Sequence, residues 1–375
     1  MRMLGQHTQV PFLDLGAIHQ GLKRDVLDDL AALLDSGAFT NGPAVPAFEE
    51  AFAAYCGRRH CVGVANGTDA LRLALLAAGI SRGDEVIVPA NTFIATFEAI
   101  AQAGGVPIPV DVTESDYNID PEAAEEALTE KTAFLVPVHL YGQLANMAPL
   151  ERLAERAGAH ILEDACQAHG ARRDGRRAGG GGIAAAFSFY PGKNLGAIGD
   201  AGAIVLDDPV LADELRALRE HGQHEKYRHA REGFTSRLDT VQALVLLRKL
   251  PLLDGWNDER RDAAAFYGSA LAGVGDLRLP PVPAGSEPVW HLFAVRSAQR
   301  DELACFLRAR GIGIGVHYPE PPHLSAAYAG LGYRPGDFPV TEALAGELLS
   351  LPMYPGISEA QLQTVADGVA AHFDG

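Results

Sequence analysis

The chain has 375 residues, 47% of them hydrophobic and 21% charged, with a formal net charge of −17. That length supports a large core, in two domains or in one domain with an appendage, and the composition is that of an ordinary globular protein. The acidic balance excludes nucleic acid and anionic membrane as expected partners, but leaves room for an anionic small molecule wherever basic residues cluster.

The opening residues, "MRMLGQHTQVPFLDL", hold no apolar run of the kind a secretory signal needs, and no stretch reaches the roughly 18 apolar residues of a membrane span. Cys56, Cys61, Cys166 and Cys305 form no CxxC pair and no zinc spacing. This predicts reduced thiols and a cytoplasmic protein.

From about residue 59 to 206, short apolar runs alternate with amphipathic stretches. Strands are predicted at 60–65, 84–90, 106–112, 132–140 and 160–165, and helices at 68–79, 92–104, 121–130 and 147–158. Further strands flank a glycine-rich stretch, "FSFYPGKNLGAIGDAG" (187–202). Val- and Ile-rich strands without clean alternation are buried on both faces, and strand–helix–strand rhythm implies a mainly parallel sheet covered by helices. The texture changes near residue 236. A long helical pattern at 237–271, broken near Pro251, leads into a small α/β unit that ends in helices at 339–348 and 358–372. "GGGG" (179–182) reads as a mobile loop.

Three motifs bear chemistry. "ANGTDAL" (65–71) follows a strand and opens a helix, so Gly67 and Thr68 can present backbone N–H groups to an anion, most simply a phosphate. The same residues also read as an ordinary N-cap. "EDACQAHGA" (163–171) places two acids at the carboxyl end of a buried strand, the edge that faces the ligand crevice in open α/β sheets. Asp164 there can hold a cationic ring nitrogen, or simply accept backbone hydrogen bonds. His169 reads as a hydrogen-bonded structural residue, with an acid–base role as the alternative. Lys193 is a lone lysine among glycines, aromatics and small apolar residues; desolvated, its neutral amine becomes a nucleophile toward carbonyls. The segment is not a P-loop, because Asn194 follows the lysine, and "GIGIG" (311–315) is not a dinucleotide fingerprint. Phosphate, ring nitrogen and aldehyde are the three handles of pyridoxal phosphate, and Phe93 in "NTFIAT" can stack on its ring.

With these motifs, and with "VIVPANTFIAT" (86–96), "PVHLYGQ" (137–143), "FSFYPGKNLG" (187–196) and "SRLDTVQA" (236–243), nearly the whole chain resembles the DegT/DnrJ/EryC1/StrS sugar aminotransferases, which are fold-type I pyridoxal phosphate (PLP) enzymes. Within the family it looks most like the desosamine-type enzymes that aminate nucleotide-linked keto-deoxysugars for antibiotic glycosides. The resemblance implies an α/β fold. Its large domain (1–240, with an N-terminal arm) carries a mainly parallel seven-stranded sheet flanked by helices. A long connecting helix and a smaller α/β domain follow (241–375). It implies that Lys193 carries the cofactor aldehyde as a Schiff base and serves as general acid–base. Asp164 keeps the pyridine nitrogen protonated, Gln167 contacts the ring hydroxyl, and Phe93 stacks. Gly67, Thr68 and Ser188 bind the phosphate. It implies a homodimer with shared sites, in which the neighbour supplies an Asn to the phosphate from a Gly-x-Asn-Ser-Arg run. Here that run is "GFTSR" (233–237), with Thr235 at the Asn position, and Ala201 stands in "GDAG" where glycine is more usual. A branch of the family with histidine in place of the lysine acts as a dehydratase, and Lys193 argues against it.

Basic residues concentrate at 215–237, and Lys226, Tyr227 and Arg237 are candidates for the pyrophosphate of a sugar nucleotide, in their own chain or across a dimer interface. His317 and Tyr318 are candidates for the sugar. The expected reaction passes an amino group from glutamate, through the pyridoxamine form of the cofactor (PMP), to a nucleotide-linked 3-keto-6-deoxyhexose, with dTDP as the expected nucleotide. A 4-keto sugar is the alternative, and a non-catalytic PLP-binding sensor or scaffold is the alternative of a different class.

Overall fold

The computed structural model describes residues 9–374. Residues 1–8, which begin the segment read above as lacking a secretory signal, lie outside the described residues, as does residue 375. The predicted rhythm is present. Strands β1 (His60–Val64), β2 (Glu85–Pro89), β3 (Val106–Val110), β4 (Thr132–Leu135), β5 (His160–Asp164), β6 (Ala184–Ser188) and β7 (Gly202–Leu206) form one sheet in the order β1-β7-β6-β5-β4-β2-β3. Neighbours from β6 through β3 are parallel, and β7 runs antiparallel to both β1 and β6.

Alternate residues of these strands enter two different cores, which is why the strands read as continuous apolar runs. Cys61, Ala185, Phe187 and Val205 face one side, against Phe48 and Phe52 of the Ala44–Cys56 helix and Leu246 of the Thr240–Lys249 helix. Val62, Val64, Ala184, Ala186 and Ile204 face the other, against Leu71 and Leu75 of the Gly67–Ala77 helix. Phe48, Phe52, Phe187 and Phe189 are each at most 1% exposed and pack largely edge to face. Each such ring contributes about 1.5–3 kcal/mol by burial.

Beyond the sheet, the Thr240–Lys249 and Leu253–Ala270 helices are separated by a 3-10 turn, Leu250–Leu252, at Pro251. The ring removes an N–H and clashes with the preceding turn, hence the break. A third core joins the later part of that helix to the antiparallel Phe293–Arg296 and Leu348–Leu351 strands and to the Arg300–Arg308 and Glu359–Phe373 helices. Val10 belongs to this core and pairs with Ile312, so the N-terminal segment is tied to the C-terminal part of the chain.

Two expectations are corrected. The strand predicted at 132–140 ends at Leu135, because Pro137 cannot donate to the ladder, although its carbonyl still accepts from Asp164 N–H. The 179–182 loop is not free. Gly179 N–H donates to Glu163 Oε2 (2.7 Å) and Gly181 N–H to Glu163 Oε1. From the other side, Arg58 Nε donates to Gly179 O (2.7 Å). Glycine is required at position 182, where φ is +58° and a Cβ would lie 2.4 Å from Ile161 O.

Candidate active site

The carboxyl ends of β1, β2, β5 and β6 converge on a cavity of about 500 Å³. Lys193, Asp164, Gly67, Thr68, Phe93, Gln167, Ser188, His317 and Tyr318 all line it. Sheet register explains the meeting of the first motifs. Gly202 on β7 pairs with both Val64 and Ser188, so the helix that starts after β1 opens beside the end of β6.

That helix begins at Gly67 after an extended Asn66, whose side chain accepts the Asp69 N–H at 2.8 Å. A Cβ on Gly67 would meet Ser188 Cβ at 2.7 Å and Cys166 Sγ at 3.0 Å. Bare backbone is what fits, and it leaves the first N–H groups of the helix toward the cavity, where partial positive charge favours an anion.

The two acids at the end of β5 point to opposite faces, as a strand requires. Glu163 is 1% exposed and accepts from His139 Nε2 at 2.8 Å; Ala145 N–H donates to His139 Nδ1, which leaves Nε2 as the donor nitrogen. Burial alone would raise the Glu163 carboxyl, but His139 and the two glycine N–H groups outweigh it and hold the pKa below its ordinary value. Asp164 faces the cavity instead. Its Oδ2 accepts from Thr96 Oγ1 (2.9 Å) and its Oδ1 from Cys166 N–H (3.2 Å).

Lys193 follows β6 in a turn closed by its N–H to Tyr190 O (2.8 Å). Burial lowers its pKa from the ordinary lysine value, with Cys166 and Asp164 close enough to oppose part of the fall. The amine is therefore more often neutral, and nucleophilic, than an exposed lysine.

Gln167 is fixed at both ends: Oε1 accepts from Tyr141 N–H (2.8 Å) and Nε2 donates to Tyr318 Oη (3.0 Å). Tyr141 adopts a φ of +58°, and its hydroxyl donates to His317 O at 2.6 Å. The Tyr318 ring lies 5.5 Å from Phe93, which is 53% exposed at the mouth. Burial pushes His317 down to about 4, helped by the charge of Lys193.

The structure brings in residues that sequence reasoning did not single out. Thr96 and Cys166 hold Asp164. Phe12, Leu13, His291, Arg260 and Met353 line the cavity from the N-terminal segment and the C-terminal part of the chain. Thr96 lies within a quoted motif, one helical turn from Phe93, and that spacing was the available signal; the distant segments gave none.

Four candidates stand outside the cavity. Lys226 and Tyr227 form the exposed tip of a short ribbon, Gln223–Glu225 with Arg228–His229, and Tyr227 is 79% exposed. Thr235 is exposed, with its hydroxyl 3.2 Å from His221 Nε2. Arg237 pairs with Glu220 at 2.7 Å. His169 is also outside. It is fully buried against Phe187 and Phe189, neither ring nitrogen has a hydrogen-bond partner among the described residues, and burial pushes it down to about 3. The ring is neutral there, and the structural reading of His169 fits, although without side-chain hydrogen bonds.

An anion cradle at a helix start, a carboxylate in a second wall and a desolvated lysine in a third are the donor set PLP needs, and all three open on one cavity large enough for cofactor and substrate.

The model of the DegT/DnrJ/EryC1/StrS aminotransferase family matches residues 21–370. The dTDP-3-amino-3,4,6-trideoxy-alpha-D-glucose transaminase of Streptomyces venezuelae is 50% identical over 369 residues, 98% of this chain and 97% of that protein. The crystal structure of S. venezuelae DesV in complex with a ketimine intermediate matches with a TM-score of 0.96 at 49% identity, over 98% of this chain and 99% of that one. That of NtdA from Bacillus subtilis with bound cofactor PMP matches with a TM-score of 0.91 at 33% identity, over 98% of this chain and 86% of that one.

Proposed function

The chain belongs to the DegT/DnrJ/EryC1/StrS aminotransferase family and uses PLP, and from that premise we propose that it passes an amino group from glutamate to a dTDP-linked 3-keto-6-deoxyhexose in the making of an amino-deoxysugar for an antibiotic glycoside. The observation that carries this reading is the meeting of Lys193, Asp164 and the start of the Gly67–Ala77 helix in one cavity. The relative of 50% identity named above, a transaminase of a 3-amino sugar nucleotide, supports the 3-keto position over the 4-keto alternative.

When bound, PLP supplies an electron sink and a carrier for the amino group. Lys193, with its lowered pKa, holds the aldehyde end and moves a proton to or from the substrate carbon at its Nζ. Asp164, braced by Thr96 and the Cys166 N–H, would hold the ring nitrogen. Gln167, locked between Tyr141 and Tyr318, would contact the ring hydroxyl. Gly67, Thr68 and Ser188 would hold the phosphate, Phe93 would cover the ring, and His317 and Tyr318 would meet the sugar.

We read the working unit as a cytoplasmic homodimer. Leu27, Leu34, Phe39, Tyr190, Ile198 and Tyr227 are all more than 45% exposed, and a second copy of the chain would cover apolar surface of this kind. The ribbon tip with Lys226 and Tyr227, together with Thr235 and Arg237, serves the partner's site rather than its own. The cofactor-binding part spans 1–240 and the connecting helix with the smaller part spans 241–375. The core under the sheet takes in Leu253, so the start of that helix packs with the first part.

The test is incubation with glutamate and matched dTDP-linked 3-keto and 4-keto deoxysugars, with products followed by mass spectrometry. An amine from the 3-keto sugar is expected. Amine from the 4-keto sugar alone, or from neither, would overturn the substrate assignment.

A further inference from the structure

Arg260 lies on the Leu253–Ala270 helix and is 2% exposed, yet it lines the same cavity as Lys193. Its Nη1 donates to the carbonyls of Trp290 (3.0 Å) and Met353 (2.9 Å). Its Nε has no hydrogen-bond partner among the described residues. The neighbouring acid, Glu259, adds some stabilisation to the charge, but its carboxylate accepts the Gly356 N–H instead of pairing with the guanidinium. Burial pushes Arg260 down to about 10, so it remains a cation at neutral pH. Two neutral carbonyls do not offset a buried charge, and such a charge normally has an anion for company.

Its position says which anion. Trp290, whose carbonyl Arg260 holds, is followed by His291; His291 Nδ1 lies 3.2 Å from Asn194 Oδ1, and Asn194 follows Lys193. Arg260 and Lys193 thus flank His291, which feels both charges. The phosphate cradle is elsewhere, at the Gly67 helix start, and on the dimer reading above the pyrophosphate falls to Lys226 and Arg237 reaching in from the second copy, since neither lines this cavity in its own chain. The anion left for Arg260 is one attached to the carbon that reacts beside Lys193. A guanidinium matches a carboxylate in two parallel hydrogen bonds.

We propose that Arg260, steadied by the Trp290 and Met353 carbonyls, is the receptor for the α-carboxylate of the amino donor. The inference rests on the aminotransferase reading and adds to it a site for the first substrate.

The test separates the two half-reactions of the PLP-loaded enzyme. Cofactor absorbance follows conversion by glutamate, and the amine-loaded enzyme is mixed separately with the keto-sugar. Arg260→Gln removes the charge and keeps a donor for the carbonyls. It should lower kcat/KM for glutamate about 100-fold while changing kcat/KM for the sugar less than about threefold. Wild type should prefer glutamate strongly over isoglutamine, whose α-carboxylate is an amide, and Arg260→Gln should abolish that preference. Calorimetry with glutarate, an unreactive dicarboxylate, should show the same loss of binding. Equal losses in both half-reactions, or a preserved preference against isoglutamine, would assign Arg260 to structure alone. Loss confined to the sugar step would assign it to the nucleotide's pyrophosphate; either result overturns the proposal. Should Arg260→Gln fail to fold, Arg260→Lys keeps the charge and loses the fork, and the same contrasts apply at about tenfold. Failure of wild type to convert any donor would instead refute aminotransfer itself.

Discussion

Replacing His169 with methionine separates two roles that the sequence leaves open for this residue. The side chain is fully buried between Phe187 and Phe189 and does not line the cavity, with its pKa pushed down to about 3 by burial and by the charge of Lys193. In the unfolded chain it titrates near the ordinary 6.5. The unfolded state therefore binds the extra proton, and stability is lost as pH falls from about 6.5 toward 3. At pH 5 the unfolded state is favoured by a factor of about 30, equivalent to about 2 kcal/mol relative to pH 8. Methionine has similar volume, no charge and enough flexibility to fill the space between the rings. The variant should lose about 2 kcal/mol less than wild type between pH 8 and pH 5 in urea melts, since His291 and His317 contribute equally to both proteins. Its kcat at pH 8 should stay within about threefold of wild type, because His169 does not line the cavity. An unchanged pH dependence would refute the buried neutral imidazole, and a loss of kcat by orders of magnitude would restore the acid–base role.

Three further perturbations probe the cavity and its support. Thr96→Val removes one of the two donors to Asp164, so spectroscopic titration of the apoenzyme should show PLP affinity falling about tenfold, as expected for a hydrogen bond to a charged group; unchanged affinity would mean that Asp164 does not contact the cofactor. Gly67→Ala forces a Cβ to within 2.7 Å of Ser188 Cβ and should weaken PLP binding by at least about tenfold in the same titration, through displacement of the helix start. His139→Leu leaves Glu163 buried with only its two glycine donors and should cost about 3 kcal/mol in urea melts at neutral pH. Because the Glu163 pKa is held below its ordinary value, the pair's contribution is present above that value and is lost as pH falls through the depressed one, so the gap between wild type and variant should narrow in acid.

Local pattern carried a large part of this protein. Apolar runs without alternation marked strands covered on both faces, and their spacing marked the helices between. Gly67, Asp164 and Lys193 were legible because each ends or follows a strand, and in a parallel sheet all such ends share one edge, whereas Ser188 came only with the family resemblance. Pro251 predicted its own break. What the sequence could not express is pairing over distance. Nothing local says that Thr96 will meet Asp164, 68 residues away. Nor does it say that four consecutive glycines, which read as a mobile loop, will close around Glu163 because Arg58 and a strand-end carboxylate grip the loop from both sides. Arg260 lies within the long helical pattern at 237–271, where no local signal sets it apart from the other charged residues. Only the packing of that helix against the 290 and 353 segments buries it without a counter-charge and sets it in the wall of the cavity that Lys193 also lines. Periodicity decides which face of an element is apolar, whereas the neighbours of a buried polar group depend on which elements the topology brings together, and that is where the chemistry of this site was decided.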